Sequence, residues 1–353
     1  MNINKYNLQR YTGINSRHTC PSCGHPREFT LYVDSNGNPI DESCGRCNRE
    51  KCGYHLPPSE FFKEHPDRET SDITKWTQPK QPEVKEVNYL PSSVIVRSDT
   101  FRVKNNLYLY LANEFGHDEA NRVFESYKVR TSRHWRNHDG LATVFPQIDD
   151  QGRVRQIKVM AYNPTNGKRM KKSDHCELWV ENRKEYVTDN RGIDKIWFAG
   201  KTLLKNQEAN LQQTFFGCHL IKDAVKIGIV ESEKTALICA ILMPSITWIA
   251  TGGCNGCRWT EPHQTEVLKN KRVVLYPDAG MYQKWLDKAQ LLKDTGIDVS
   301  VSSLCCNQPD NTDIADVLLL ERQRSKAKPT TIGDVCKWMK EIGIGKGRIT
   351  FNI

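Results

Sequence analysis

The sequence predicts an α/β protein in three parts: an amino-terminal zinc ribbon, a basic α+β subdomain and a domain built on a parallel sheet. Two observations predict this organisation. Five cysteines crowd into residues 20–52, and in a chain without secretory features such clusters are typical of metal binding. In the second half, short β-branched runs lead into an acidic residue and then a helical pattern, as buried parallel strands of βαβ units do.

Changes in composition, together with stretches of linker-forming residues, divide the chain further. We predict a zinc ribbon over residues 1–65, a linker over 66–93, the basic subdomain over 94–220, the parallel-sheet domain over 221–325 and a basic tail with one helix over 326–353. The linker is rich in proline and charge.

A net charge of +9 and a pI near 8.8 favour a polyanionic partner. No apolar run suits a membrane span or a signal peptide, so we expect a cytoplasmic protein that does not enter a membrane.

The amino-terminal cysteines have the spacing of a zinc ribbon. Cys20-x-x-Cys23 is followed by the strand-like run FTLYV, an Asn-Gly turn and a second cysteine knuckle. Two knuckles joined by a hairpin bring four thiolates to one tetrahedral Zn²⁺. The spacing leaves the second pair open: it is Cys44 with Cys47, or Cys47 with Cys52, and the remaining cysteine or His55 is then a substitute ligand.

The middle region combines two short helices, predicted within residues 105–128, with a β-hairpin turning at residues 149–152. Seven basic residues and no acid follow between Gln151 and Lys172: Arg153, Arg155, Lys158, Lys168, Arg169, Lys171 and Lys172. Such a stretch suits a phosphate backbone, and its alternative interpretation is a solvated face. Lys234, on the first turn of a predicted helix, is a further candidate for contact with phosphate.

Acidic residues follow three predicted strands of the parallel-sheet domain. Glu231 ends the run KIGIV, Asp278 follows KRVVLYP, and Asp310, Asp313 and Asp316 come after IDVSVSSL. The carboxyl ends of parallel strands meet at one edge of a sheet. Carboxylates gathered there repel one another unless a cation lies between them, and Mg²⁺ is a hard ion that prefers such oxygens. The alternative is that these acids only cap helices.

This order of strand-end acids, with an Asp-Ala-Gly turn after the second run and Asp-x-x-Asp beyond the third, resembles the Toprim domain of bacterial-type primases and topoisomerases. The Gly-Arg-Cys and Cys-Gly-Tyr-His flanks of the cysteine cluster and the Phe-Pro-x-x-Asp and Gly-Arg-Val order of the hairpin resemble the modules that precede it in bacterial-type DNA primases of phages and mobile elements. The likeness extends over residues 20–320.

The resemblance implies a function. Cys47 and Cys52 would complete the zinc site with Cys20 and Cys23, and Glu231, Asp278 and Asp313 would be catalytic, with Asp316 as a further Mg²⁺ ligand. The basic residues named above would contact single-stranded DNA and nucleotides. The implied activity is Mg²⁺-dependent nucleotidyl transfer for primer synthesis, with a replicative helicase supplied as a separate protein.

One departure keeps other functions open. Toprim domains carry Asp-x-Asp in the second motif, whereas this chain has Tyr276 in the first of those positions and only Asp278 after it. A two-metal site needs enough acids to hold both ions. A protein that binds nucleic acid without catalysis, or a Toprim nuclease, is therefore the alternative to a primase.

Overall fold

The computed structural model describes residues 6–13, 16–66, 86–96, 99–253 and 256–326. Contacts between residues divide the chain into two units, residues 1–83 and 84–353. The division falls inside the predicted linker, and both predicted domains that follow the linker belong to the second unit. Residues 67–85 of the linker, and the helix predicted in the tail, lie outside the described residues.

The first unit is a small antiparallel sheet followed by a helix. Its elements are β1 (Asn7–Leu8), β2 (Phe29–Val33), β3 (Gly45–Cys47) and α1 (Pro58–Glu64), with β2 in the centre of the sheet. The strand FTLYV is confirmed, and so is the Asn-Gly turn after it, where Gly37 has a φ of 87°. Its core consists of Phe29 and Leu31 packed beside two cysteines. A core of this size stabilises a fold weakly without a metal ion.

The second unit contains ten strands and eight α-helices among its described residues. They are α2 (Ser93–Val96), α3 (Asn106–Phe115), α4 (His117–Ser126), β4 (Arg130–Asn137), β5 (Gly140–Ile148), β6 (Val154–Met160), β7 (Glu177–Val180), β8 (Glu185–Thr188), β9 (Ile196–Phe198), α5 (Gly200–Leu204), β10 (Lys226–Val230), α6 (Glu233–Leu242), β11 (Thr247–Ala250), α7 (Pro262–Thr265), β12 (Arg272–Leu275), α8 (Tyr282–Asp294), β13 (Asp298–Val301) and α9 (Ile314–Lys326). The two helices predicted within 105–128 are confirmed as α3 and α4, which Gly116 separates with a φ of 93°.

The basic subdomain is a six-stranded antiparallel sheet with strand order β8-β7-β4-β5-β6-β9. The predicted hairpin is confirmed as β5 and β6, and Gly152 turns it with a φ of 77°. Both strands are buried along nearly their whole length. Phe145 packs in the core formed with α3 and α4, whereas Ile157 packs in a second core with Leu90 and Ile95. The hairpin therefore lies between two apolar layers.

The parallel sheet has the strand order β11-β10-β12-β13, with every neighbouring pair parallel. Leu237 of α6 packs with Val230 and Trp248 in one core, and Trp285 of α8 packs with Ile229 in the other. Helices thus cover both faces, and the carboxyl ends of the strands lie at one edge. Among the residues that the structure describes, no helix is long and apolar enough to cross a membrane.

Candidate functional site

The four thiols of Cys20, Cys23, Cys47 and Cys52 form a group that could hold a metal ion in the first unit. Their sulfur atoms all lie within 4.8 Å of one another, and those of Cys20 and Cys52 are 3.8 Å apart. Four sulfurs at about 2.3 Å from a tetrahedral Zn²⁺ are separated by roughly 3.8 Å. Gly24 and Gly53, with φ of 66° and 65°, turn the backbone beside each pair. The residues therefore fit a zinc ion.

The two alternative ligands have other partners. The Cys44 thiol donates to the Leu56 carbonyl oxygen at 3.6 Å, and burial raises its pKa to about 11. His55 Nε2 lies 3.0 Å from the Tyr32 hydroxyl. Of the pairs that the spacing left open, the structure therefore places Cys47 and Cys52 beside Cys20 and Cys23.

The acids of the second unit lie at the carboxyl edge of the parallel sheet, as expected. Glu231 directly follows β10, Asp278 follows β12, and Asp313 precedes α9. The pKa of Asp278 is raised to about 8, chiefly by burial and then by the negative charges of Glu231, Asp313 and Asp316. Carboxylates shift one another in this way only when they are close together. Among the described residues the acids do not form a group of three or more whose oxygens all lie within 4.8 Å of one another. Their chemistry, oxygen ligands of negative charge, is the kind that a hard divalent cation takes.

Hydrogen bonds join the start of α6 to the start of α9 beside these acids. Thr235 Oγ1 donates to Asp313 Oδ2 at 2.6 Å. The Asp313 amide donates to the Asp316 carboxylate at 3.1 Å, and the Asp316 amide donates to the Asp313 carboxylate at 3.0 Å. The Ala279 amide, next to Asp278, donates to the Thr312 carbonyl at 2.9 Å. The strand-end loops are therefore tied to one another.

The capping interpretation applies to some of the acids but not to all. Asp313 and Asp316 do satisfy backbone amides at the start of α9. Helix α6, by contrast, is capped by the Ser232 hydroxyl, and α8 has no side-chain cap. Capping therefore does not account for Glu231 and Asp278.

Two lysines lie within electrostatic range of the acids. Burial and the charge of Asp313 raise the pKa of Asp316, whereas the Asp313 amide, Lys234 and Lys168 act in the opposite direction. Lys234 is on the first turn of α6, and Lys168 is an exposed residue after β6. Their positive charges therefore act on the acids of this edge.

The other predicted nucleic-acid residues divide into two groups. Lys168, Arg169, Lys171 and Lys172 are exposed, and they lie beyond β6 rather than in the hairpin itself. Arg155 and Lys158 lie in the hairpin but are buried, and both are paired with acids. Arg153 is half-exposed and pairs with Asp149 at 2.9 Å. The exposed charge is therefore concentrated at residues 168–172.

Tyr276 occupies the position where the resemblance implies another acid. Its ring packs against Trp248 with 4.9 Å between the ring centroids, and it joins the core between the parallel sheet and α6. Its amide donates to the Ile229 carbonyl at 2.8 Å. Asp278 is accordingly the single acid that follows β12.

Comparison of sequences gives two family matches. Residues 4–67 match a family described as a zinc β-ribbon finger, which confirms the zinc ribbon predicted from the cysteines. Residues 105–279 match a family described as a domain of unknown function, DUF6371. Among curated proteins no match is found.

The chain is similar to solved structures of primases. One is the primase fragment of the bacteriophage T7 primase-helicase, at 15% identity and a TM-score of 0.39, covering 89% of this chain and 99% of that one. Another is the Aquifex aeolicus primase with its zinc-binding and RNA polymerase domains, at 13% identity and a TM-score of 0.34, covering 95% of this chain and 84% of that one. A third is the catalytic domain of DnaG primase bound to single-stranded DNA, at 11% identity and a TM-score of 0.37, covering 70% and 74%.

Proposed function

We propose that this protein is a primase-like enzyme of a phage or mobile element, which binds single-stranded DNA and joins nucleotides by Mg²⁺-dependent nucleotidyl transfer. The observation that carries the proposal is the position of Glu231, Asp278 and Asp313 at the carboxyl edge of the parallel sheet, where burial first, and then the charges of Glu231 and Asp313, raise the pKa of Asp278 to about 8. The Cys₄ zinc site and the exposed basic stretch at residues 168–172 support it.

Each group has a proposed role. Bound Mg²⁺ would neutralise charge on the triphosphate and on the attacking oxygen. Glu231 would be a metal ligand or the general base for the 3′ hydroxyl, Asp278 and Asp313 would hold the metal and the nucleotide, and Asp316 would be a further ligand. Lys168 and Lys234 would contact phosphates. Primer synthesis would take place in the cytoplasm, with the helicase as a separate partner.

The proposal is tested by incubating the protein with single-stranded DNA, labelled nucleotides and Mg²⁺. We expect labelled primers, and we expect Glu231→Gln to reduce their yield about a hundredfold or more, because it removes a charge that the metal needs. Glu266→Gln is the matched control, since Glu266 is an exposed acid that pairs with Lys269; it should leave the yield unchanged.

The same assay separates the alternatives. Shortening of a labelled DNA strand without primers would indicate a nuclease. DNA binding with neither product would indicate a protein that has kept the fold without catalysis, an outcome that the loss of an acid at Tyr276 favours. Either result would overturn primer synthesis as the function.

The basic stretch makes a second prediction, about salt. Substituting Lys168, Arg169, Lys171 and Lys172 by Gln should reduce the slope of log affinity for single-stranded DNA against log salt by up to about 2.8, because each lost phosphate contact on a single strand contributes about 0.7. Binding titrations at several salt concentrations measure this slope.

A matched variant controls for net charge. It replaces four other exposed cations of the second unit by Gln: Arg183, Lys184, Lys284 and Lys293. This control should keep nearly the wild-type slope. If both variants change the slope equally, residues 168–172 are only a solvated face.

A further inference from the structure

A buried ion pair joins the antiparallel sheet to the start of α6. Lys158 Nζ lies 2.9 Å from Glu233 Oε1 and 3.0 Å from Glu233 Oε2, and the two side chains are 7% and 1% exposed. Lys158 belongs to β6, whereas Glu233 is the first residue of α6 and lies two positions after Glu231. Because its side chain is almost fully buried, the Lys158 ammonium binds groups inside the protein and does not contact a phosphate in solvent.

The Lys158 ammonium has a third hydrogen-bond acceptor, which lies in a loop connected to Glu231. Lys158 Nζ donates to the Gly252 carbonyl oxygen at 3.1 Å. The Gly252 and Gly253 amides in turn donate to the Glu231 carbonyl at 3.0 and 3.1 Å. Gly252 has a φ of 82°, a conformation that glycine adopts without strain. A continuous chain of hydrogen bonds therefore runs from Lys158 through this loop to the backbone of Glu231.

The energetics of burial point to a role other than stability. Removing two charges from water costs free energy that their attraction only partly offsets, so an apolar pair of similar volume often gives an equally stable fold. What an apolar pair cannot supply is the third hydrogen bond, to Gly252. The specific contribution of Lys158 is thus the fixed position of the loop at residues 251–253.

We propose that Lys158 is a positioning residue, which holds Glu231 in place for Mg²⁺ by binding the Gly252 carbonyl and Glu233. The inference rests on the proposed function of the acid site. It assigns Lys158 a role different from the nucleic-acid contact that the sequence suggests.

The test is a Mg²⁺ titration of thermal unfolding with the full-length chain. The double substitution Lys158→Met and Glu233→Leu removes both charges together and leaves no unpaired ion. Partners that orient metal ligands affect metal affinity by about 10- to 100-fold. We therefore expect the Mg²⁺ concentration at half-maximal stabilisation to rise by that factor, while the melting temperature without Mg²⁺ changes little.

Lys195→Met is the matched control. Lys195 is also a buried lysine of the second unit, and its Nζ lies 3.2 Å from Asp189, which keeps Arg191 as a partner. This variant should lower the melting temperature but leave the Mg²⁺ midpoint unchanged. If the double variant does not fold, the polar pair Lys158→Gln and Glu233→Gln, which also leaves no unpaired ion, is titrated in its place with the same expectation.

The outcomes separate the two proposals. A midpoint in the Lys158 variant equal to that of the wild type would overturn the positioning role while leaving the acid site intact. A wild-type protein with no Mg²⁺ response at all would overturn the acid site, and the positioning role with it.

Discussion

Freshly purified protein should contain about one zinc ion per chain, and Cys20→Ser should release it. The sulfur of Cys20 lies within 4.8 Å of those of Cys23, Cys47 and Cys52, so its loss leaves three ligands where zinc requires four. Structural zinc contributes roughly 10–16 kcal/mol of binding free energy to small domains, and the apolar core of this ribbon is small. The ribbon should therefore unfold with the loss of its metal.

Metal analysis combined with limited proteolysis measures both effects. In Cys20→Ser the residues of the first unit should become sensitive to protease, whereas a fragment covering the second unit persists, because the two are separate compact units. Cys44→Ser and His55→Ala are the controls and should retain zinc. Loss of zinc in Cys44→Ser, with retention in Cys52→Ser, would show that the quartet is a different one.

Raising the pH should destabilise the metal-free protein through Asp278. Its pKa in the folded chain is about 8, against 3.8 for the ordinary side chain. Because the pKa is raised in the folded state, the stabilisation that the protonated carboxyl gives is fully present below about pH 4. It decreases as the pH rises and is lost once the pH has risen through about 8. A shift of this size corresponds to several kcal/mol, since one pKa unit is about 1.4 kcal/mol.

Mg²⁺ should reverse this effect, because it binds the ionised form and releases the proton. Below about pH 8 the ion competes with that proton, so the rise in melting temperature caused by Mg²⁺ should be larger at pH 8.5 than at pH 6.5. Asp278→Asn should remove both the loss of stability with pH and most of the response to Mg²⁺. Unfolding scans at several pH values, with and without the ion, measure these quantities.

Asp287→Asn serves as the comparison for this experiment. Asp287 is an exposed residue of α8 that accepts a hydrogen bond from Gln283. The substitution should change neither the pH dependence nor the Mg²⁺ response. A wild-type response to Mg²⁺ in Asp278→Asn would remove Asp278 from the metal site.

The features predicted well from the sequence are those whose signal is local. Cys20-x-x-Cys23 and the strand FTLYV lie within a few residues of each other, and the backbone geometry of a knuckle fixes where the thiols point. The positions of the acids after β10 and β12 were predictable in the same way, because each acid comes soon after a short apolar run that predicts a buried strand. Their meeting at one edge then follows from the parallel arrangement of the strands.

Other features depend on contacts between distant segments, which no local pattern carries. Strand β4 reads RTSRHWRN and buries only Trp135 and Asn137, so the residues alone give no alternating apolar pattern. Lys158 stands between Ile157 and Val159, where period-two alternation predicts an exposed side chain. It is buried because both faces of β6 are covered and because Glu233, 75 positions later, supplies its counter-charge.

The packing of Tyr276 against Trp248 limits how this site can change. A single substitution of Tyr276, which is half-buried, by Asp would place a carboxylate beside the indole of the fully buried Trp248, and a charge beside an apolar ring costs free energy unless it has a partner. The core would also lose an aromatic ring. An acid at position 276 would therefore destabilise the core between the parallel sheet and α6 unless Trp248 changed as well.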